Sequence, residues 1–415
     1  MAKVLVVGGG GREHAIVHAL SKSKKVNEIY AAPGNAGIAK LAMCVNIKDT
    51  EVDKIVEFAK AEAIDLVVVG PEASLALGIV DELQKNNIKV FGPTKAAARI
   101  ESSKNFAKDL MLKYGIPTAR YEVFENYEEA MAFVKISPFP TVIKYDGLAA
   151  GKGVVIANNL IEADNALKDM LLDDKFGKGK VVIEDYLEGP EFSFMCFVNG
   201  ENVYPLEMAQ DHKRAYDNDR GPNTGGMGAY SPLPFIKEAD YDFALNEIMK
   251  KAAKALVNEE CPFTGVLYGG LMKTKRGIKV IEFNARFGDP ETEVVLPRLT
   301  SDIYDAFNAV IDGKEPLLTW DKCATIGIVL ASKGYPGEYK KGFVIENADS
   351  DDIYHMGTKI DENGNLVTNG GRVLFAVAKG DTLEEANKKA VKLVSEIKCD
   401  NLFYRRDIGA KAFRK

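Results

Sequence analysis

Cysteine is scarce and scattered. The chain holds five, Cys44, Cys196, Cys261, Cys323 and Cys399, with no C-x-x-C pair among them. An odd number of isolated thiols argues against a disulfide framework or a thiolate zinc site, and fits reduced cysteines in a cytoplasmic protein. Histidine is rarer still, with four: His14, His18, His212 and His355. His14 and His18 stand one helical turn apart, but no H-E-x-x-H context surrounds them, so no zinc site is expected. Positive charge is not in excess. The net charge is −6, whereas a nucleic-acid binder usually carries a basic stripe. Small anionic substrates need only a local pocket and stay open. No apolar run approaches the roughly 20 residues of a membrane helix. The opening MAKVLVVGGGG meets glycine too early for a secretory signal. The expectation is a cytoplasmic protein with neither membrane nor nucleic acid as partner. No internal repeat or low-complexity tract is seen.

What is present is the composition of a globular protein, 46% hydrophobic and 27% charged over 415 residues. That length predicts about two to four domains. KVLVVGGGGREHAIVHALSKS reads as strand, glycine turn and helix: Val4 to Val7 are continuously apolar, and Ala15, Ile16, Ala19 and Leu20 recur at helical spacing. NEIYAAPGN, IDLVVVGPE and IKVFGP add three strands that alternate with helical patterns, giving an open parallel sheet over residues 1 to about 100. ESSKNFAKDLMLKYGIP restarts the chain with a helix capped by Ser102 or Ser103 and ended by Gly115, with Pro117 beyond. Two hairpins follow, at Asn199-Gly200 and around Lys275 to Gly277, and residues from about 325 read as a small α+β unit.

Two glycine-rich turns suggest anion binding. Gly8 to Gly11 lie between a strand and a helix, where backbone N–H groups point outward. A dinucleotide fingerprint is not met, because Glu13 stands where the third glycine belongs and no acid ends the second strand. A phosphate-sized ligand remains compatible, since four glycines in a row cost folding entropy unless close backbone approach is needed. The second turn, in VIKYDGLAAGKGVVI, is not a Walker loop: three residues instead of four precede Gly151-Lys152, and Gly153 replaces the Ser or Thr. Lys144 before the loop and Lys104 at the start of the capped helix can still reach phosphate oxygens.

KVIEFNARFGDPE alternates, so Glu282, Asn284 and Arg286 share one strand face, with neighbours about 6.5 Å apart. Glu282 and Asn284 offer oxygen ligands for magnesium, and Arg286 can neutralise a phosphoryl group in transfer. A solvated strand face is the competing reading. The density of Glu282, Asn284, Arg286, Asp289 and Glu291 favours a functional one.

Strand–lysine–glycine loop–strand, then VVIEDYLEGPEFS, then EFNARFGDPE, resembles the ATP-grasp superfamily. RFGDPE, GGGGREHA, DGLAAGKGV, QDHKRAYDNDRGPNTGGMGAYSP and NGGRVL are similar to one of its families, the phosphoribosylamine–glycine ligases, over essentially the whole chain. The resemblance implies a multidomain α/β and α+β fold. Residues 1–101 would form the N-terminal substrate domain, 102–325 the ATP-grasp domain with a mobile lid at about 118–190, and 326–415 a small C-terminal α+β domain. It implies ATP between two antiparallel sheets. Lys104 and Lys144 would hold phosphates under a loop containing Gly147, Gly151 and Gly153. Glu184, Asp185, Tyr186 and Leu187 would read adenine through the main chain, and Glu191 would bind the ribose. Glu282 and Asn284 match magnesium ligands, with manganese as a substitute. Some distant ATP-grasp ligases use a further carboxylate on the preceding strand, where VLYGGLM offers none.

The implied substrates are glycine and 5-phosphoribosylamine. Arg286, Asp211 and Asp289 are the candidate catalytic residues. Asp211 is offered for the glycine ammonium, against the alternative of a plain solvated loop. Gly9, Gly10, Gly11, Arg12, Asn35, Glu72 and Arg372 are candidates for the phosphoribosylamine side. Arg372 is favoured for its phosphate over the rival pair Arg405-Arg406, which reads as exposed surface. A monomer is expected, with a transient contact to the enzyme that makes the unstable amine. The rival readings are another ATP-grasp ligase or a bicarbonate-using carboxylase, an NAD-dependent oxidoreductase, and a nucleotide sensor without catalysis.

Overall fold

The computed structural model describes residues 1–149, 153–173 and 175–413. Its N-terminal sheet is wholly parallel. Strand Ala2–Gly8 lies between Val26–Pro33 and Leu66–Val69, and Met43–Cys44 and Val90–Phe91 form the edges. Val4 to Val7 are fully buried, because a parallel strand at the centre of such a sheet is covered on both faces. Met43–Cys44 escapes sequence reading: it is two residues long and exposed, so it leaves no apolar run.

The next sheet is antiparallel, in the order Tyr121–Phe124, Val181–Asp185, Thr141–Tyr145, Val154–Ala157. Helices Tyr127–Ile136 and Leu160–Leu171 cover it, and Ala130, Val134, Ile143, Ala163, Leu167 and Ile183 build a core of its own. A second antiparallel sheet runs Asn202–Pro205, Glu191–Asn199, Thr264–Thr274, Gly277–Asn284. Strand Glu191–Asn199 is buried on both faces. Phe192, Phe194 and Cys196 join one core cluster, while Met195 and Phe197 join another, as the two-residue side-chain period of a strand requires.

The last sheet crosses a boundary suggested by sequence. Strands Ala324–Ser332, Arg372–Gly380, Ile353–His355 and Leu402–Phe403 come from the C-terminal part, but Gly228–Ser231 pairs with Ala324–Ser332 and carries Gln210–Asp211 on its other side. The segment QDHKRA therefore extends the C-terminal sheet towards the middle of the molecule. Arg405 secures the nearby chain. It is 1% exposed and holds Asp407, Asp219 and the carbonyl of Arg214 at 2.8–3.1 Å. The reading of Arg405-Arg406 as exposed surface is thus corrected for Arg405, whose guanidinium is consumed by an internal ion cluster. No helix among the described residues is long and apolar enough to cross a membrane.

Candidate active site

Helix Lys104–Lys113 starts where Ser103 accepts a hydrogen bond from Phe106 N at 3.1 Å. The cap aims the first turn at the glycine loop: Lys104 Nζ donates to Gly147 O at 2.9 Å, and Asn105 N donates to Asp146 Oδ1 at 3.1 Å. Tyr145 N donates to Gly153 O at 2.8 Å, across the base of the loop. Gly151 lies outside the described residues. Lys144 Nζ stands 2.9 Å from both Glu184 Oε1 and the carbonyl of Ile281.

The expected adenine hinge is only partly free. The carbonyl of Glu184 accepts from Thr141 Oγ1 at 3.1 Å. Asp185 donates its amide to Arg120 O at 3.0 Å and pairs its carboxylate with Arg120 Nε at 2.7 Å. The amide of Asp185 is thus already used and its main-chain role is corrected, whereas the carbonyl of Glu184 keeps a second lone pair. Among the described residues no hydrogen bond reaches the backbone of Tyr186 or Leu187.

On the facing sheet, Glu282 and Asn284 end strand Gly277–Asn284. The residue paired with Glu282 is Gly270, so no second carboxylate comes from the preceding strand. Lys213 stands there instead, with Nζ 3.3 Å from Glu191 and 4.0 Å from Glu282. Burial would raise the Glu282 carboxyl, but Lys213, Lys144, Lys104 and Arg286 outweigh it and hold the group below its ordinary value. An ionised carboxylate beside an amide oxygen suits a hard cation. The described residues contain no cluster of three or more His, Cys, Asp or Glu able to bind a metal alone, so a cation held by Glu282 and Asn284 would need ligands from outside the chain.

The strand ends at Asn284, so the alternating face does not continue to Arg286 as a strand. The guanidinium folds back, with Nη2 3.4 Å from Asn284 Oδ1. Two carboxylates from the N-terminal part clamp it: Glu101 Oε1 at 3.0 Å and Glu72 Oε2 at 3.4 Å. Glu101 also accepts from Ala285 N at 2.7 Å. Burial works against ionised Glu72, yet Arg286 and Arg12 bring its pKa down to about 2.

Three residues further on, Asp289 faces the C-terminal sheet. Arg372 Nη1 lies 3.0 Å from Asp289 Oδ1, and donates to the carbonyls of Asp289 at 3.0 Å and Gly225 at 2.7 Å. Asp211 closes this side. Its Oδ1 is buried without a hydrogen-bond partner, and a Cβ on Gly226 would come within 2.6 Å of it. Burial, then repulsion from Glu291, raises its pKa well above the usual carboxylate range. An unpartnered carboxylate oxygen of this kind fits an incoming ammonium group.

The N-terminal turn is more self-contained than expected. Gly10 N donates to Glu13 Oε2 at 2.7 Å, so the anion at this amide is the chain's own. Close packing accounts for the neighbouring glycines: a Cβ would lie 2.5 Å from Gly34 O at Gly9 and 2.5 Å from Glu293 Oε1 at Gly11. Arg12 Nε binds Glu13 at 2.6 Å and Nη1 donates to Phe287 O at 3.2 Å. Asn35 is corrected outright. Its Nδ2 donates to Gly9 O and His355 O, and its Oδ1 accepts from Gly37 N and Ile38 N, all at 2.7–2.9 Å. Four internal bonds leave this amide nothing for a ligand.

Sequence reasoning misses Lys213, Glu101 and Glu13. Lys213 stands in the quoted QDHKRA, but its partners lie on a different sheet. Glu101 stands two residues before the Ser103 cap, and its partner is 185 residues away.

Two four-stranded antiparallel sheets face each other, with Lys104, Lys144 and the glycine loop on one side and Glu282 with Asn284 on the other; this is an ATP-grasp architecture. Models of the phosphoribosylglycinamide synthetase N domain, ATP-grasp (A) domain and C domain match residues 2–101, 102–292 and 325–411. The chain belongs to the phosphoribosylglycinamide synthetase family. It is 54% identical over 415 residues to a phosphoribosylamine–glycine ligase of Halalkalibacterium halodurans, covering 99% of this chain and 97% of that protein. A crystal structure of the phosphoribosylamine–glycine ligase of Thermotoga maritima superposes with a TM-score of 0.87 at 36% identity, covering 98% of this chain and all of that one. The biotin carboxylase domain of Hydrogenobacter thermophilus 2-oxoglutarate carboxylase, at 18% identity and a TM-score of 0.74, shares the fold over 97% of this chain and 91% of its own.

Proposed function

We propose that this chain joins glycine to 5-phosphoribosylamine with ATP, giving glycinamide ribonucleotide, ADP and phosphate, in de novo purine synthesis. The observation that carries the reading is the reach of the loop from Arg286 to Glu291. Arg286 touches Glu72 and Glu101 of the N-terminal part, and Asp289 touches Arg372 of the C-terminal sheet. A ligase must bring an activated carboxylate to an amine held elsewhere, and one loop here links the elements suited to each.

The chemistry follows from the groups. A carboxylate is a poor electrophile. Phosphorylating glycine gives glycyl phosphate, whose leaving group is good, and the sugar amine then attacks the carbonyl and expels phosphate. The protein contributes position and charge. Lys104 and Lys144 hold the ATP phosphates, the free backbone of Tyr186 and Leu187 reads adenine, and Glu191 binds the ribose. Arg286 and Lys213 stabilise charge on the moving phosphoryl group. Asp211 takes the glycine ammonium, and Asp289 orients Arg372 towards the sugar phosphate beside Gly9, Gly11, Arg12 and Glu72. The glycine loop that begins at Asp146 and Gly147 and the segment after Asp211 exclude water from the acyl phosphate. Glu282 and Asn284 would hold magnesium, with manganese as a substitute, and such a cation neutralises charge on the phosphates. The working protein is taken as a cytoplasmic monomer that receives the unstable amine from the enzyme of the preceding step.

The deciding assay is ADP release from ATP by purified protein with the amine and one candidate acid at a time. Glycine alone is expected to support turnover. ADP formation driven by bicarbonate would favour a carboxylase instead.

The two sides of the site are separable. Lys144→Met is expected to weaken ATP use and spare binding of glycinamide ribonucleotide. Arg372→Ala is expected to do the reverse, with about 1.5–3 kcal/mol lost from product binding through charged hydrogen bonds. Titration calorimetry with each ligand reads this directly, and loss of the same ligand by both variants contradicts the two-sided map.

A further inference from the structure

One buried lysine has no part in the chemistry above. Lys108 lies one turn after Lys104 on the same helix face. Its Nζ is 3.0 Å from Glu184 Oε2 and donates to Thr118 Oγ1 at 2.7 Å, while Thr118 donates to Val280 O at 2.8 Å. The other oxygen of Glu184, Oε1, lies 2.9 Å from Lys144 Nζ as an ion pair, but makes no hydrogen bond among the described residues. Lys108, Lys144 and Glu184 are 2%, 4% and 4% exposed. Two ammonium groups thus share one carboxylate in a nearly dry place. One lysine would neutralise Glu184, and the second leaves an excess positive charge beside the proposed phosphate site.

We propose that Lys108 is a positioning residue for nucleotide binding: it is the fixed partner of Glu184, which lets Lys144 leave that carboxylate for the phosphates of ATP. The inference rests on the nucleotide site proposed above. Lys108 is held by the Thr118 hydroxyl at 2.7 Å and Lys144 by the Ile281 carbonyl at 2.9 Å, but Lys144 is the one that borders the glycine loop, through Tyr145. Without Lys108, the same exchange would strand an unpaired carboxylate in the interior, which is strongly unfavourable. Helix Lys104–Lys113 then serves both ends of the nucleotide, with Lys104 on the loop and Lys108 behind the hinge.

The test is equilibrium binding of magnesium with a non-hydrolysable ATP analogue to the full chain, without glycine or amine. Lys108→Met is expected to raise Kd at least about 30-fold, and Lys108→Arg to recover most of the loss. Adding Glu184→Gln to Lys108→Met removes the stranded charge, so the double variant is expected within about fivefold of Glu184→Gln alone. A folded Lys108→Met that binds like wild type overturns the proposal, as does an undiminished loss in the Glu184→Gln background. Should Lys108→Met fail to fold, the comparison of the double variant with Glu184→Gln carries the test alone, with a further loss of about 30-fold as the overturning result. Failure of the wild-type chain to bind the analogue would instead sink the nucleotide site itself.

Discussion

Glu282→Ala is expected to abolish ADP formation while the protein stays folded. Glu282 is one of only two oxygen donors that the strand end offers a cation, and the paired position on the neighbouring strand is Gly270. Glu191, the carboxylate that shares Lys213 with it, comes from a different strand and is already paired with that lysine at 3.3 Å. The Glu282 side chain is 36% exposed, so truncation leaves no large cavity and the stability cost stays within about 1 kcal/mol. The loss in turnover should reach about 1000-fold or more, because charge on the transferring group goes uncompensated. Lys213 would then face the phosphates with one carboxylate partner, Glu191, in place of two, and tighter nucleotide binding without turnover is a compatible by-product. Asn284→Ala should be milder, since a neutral ligand brings less charge. ADP release and a thermal melt on the same preparations check both claims. Near-normal turnover in folded Glu282→Ala removes Glu282 from the metal site.

Glycine labelled with oxygen-18 in its carboxyl group is expected to pass one labelled oxygen to each phosphate released. The other should remain in the amide of the product. Attack by the glycine carboxylate on the terminal phosphorus of ATP forms a new oxygen–phosphorus bond, and the later attack of the amine breaks the carbon–oxygen bond. The bridging oxygen therefore leaves with phosphate. Phosphorylation of the sugar amine would put no glycine oxygen there. Mass analysis of phosphate and product under full turnover separates the two orders. Unlabelled phosphate would eliminate the acyl phosphate route, together with the role given to Arg286 and the need for a water-excluding loop.

Much of the scaffold was legible because its signals are local. The apolar run Val4 to Val7 predicts a buried parallel strand, and all four residues are fully buried. Ser103 as helix cap and Gly115 as helix end need only neighbouring residues, and the structure has the cap bond and a left-handed Gly115. Gly200 likewise takes positive φ between paired strands. The meeting of Lys104 with the glycine loop, and of Arg286 with Asn284, was also within reach of sequence reasoning.

Most of the errors share one cause. Asn35 and Asp185 carry suitable polar groups, but each has satisfied them on partners that sequence position does not reveal, such as His355 O, 320 residues from Asn35, whereas Gly10 gives its amide to Glu13 three residues on, a local capping contact that sequence reasoning passed over. Arg405 was placed at the surface because paired basics near a chain end usually are, yet Asp219 meets it from a distant segment.

By itself, the sequence determined the element types, the caps and turns, the oxygen-donor strand end and the family. Tertiary structure alone decided that Asp211 and Arg372 flank the same loop, that Lys213 bridges Glu191 and Glu282, and that Lys108 and Lys144 share Glu184. The physical reason is range. Backbone propensity and side-chain periodicity act within a turn or two of the chain, whereas these charge pairings depend on which sheet edge accepts Gly228–Ser231 and which carboxylates burial brings within a few ångströms of a lysine or arginine.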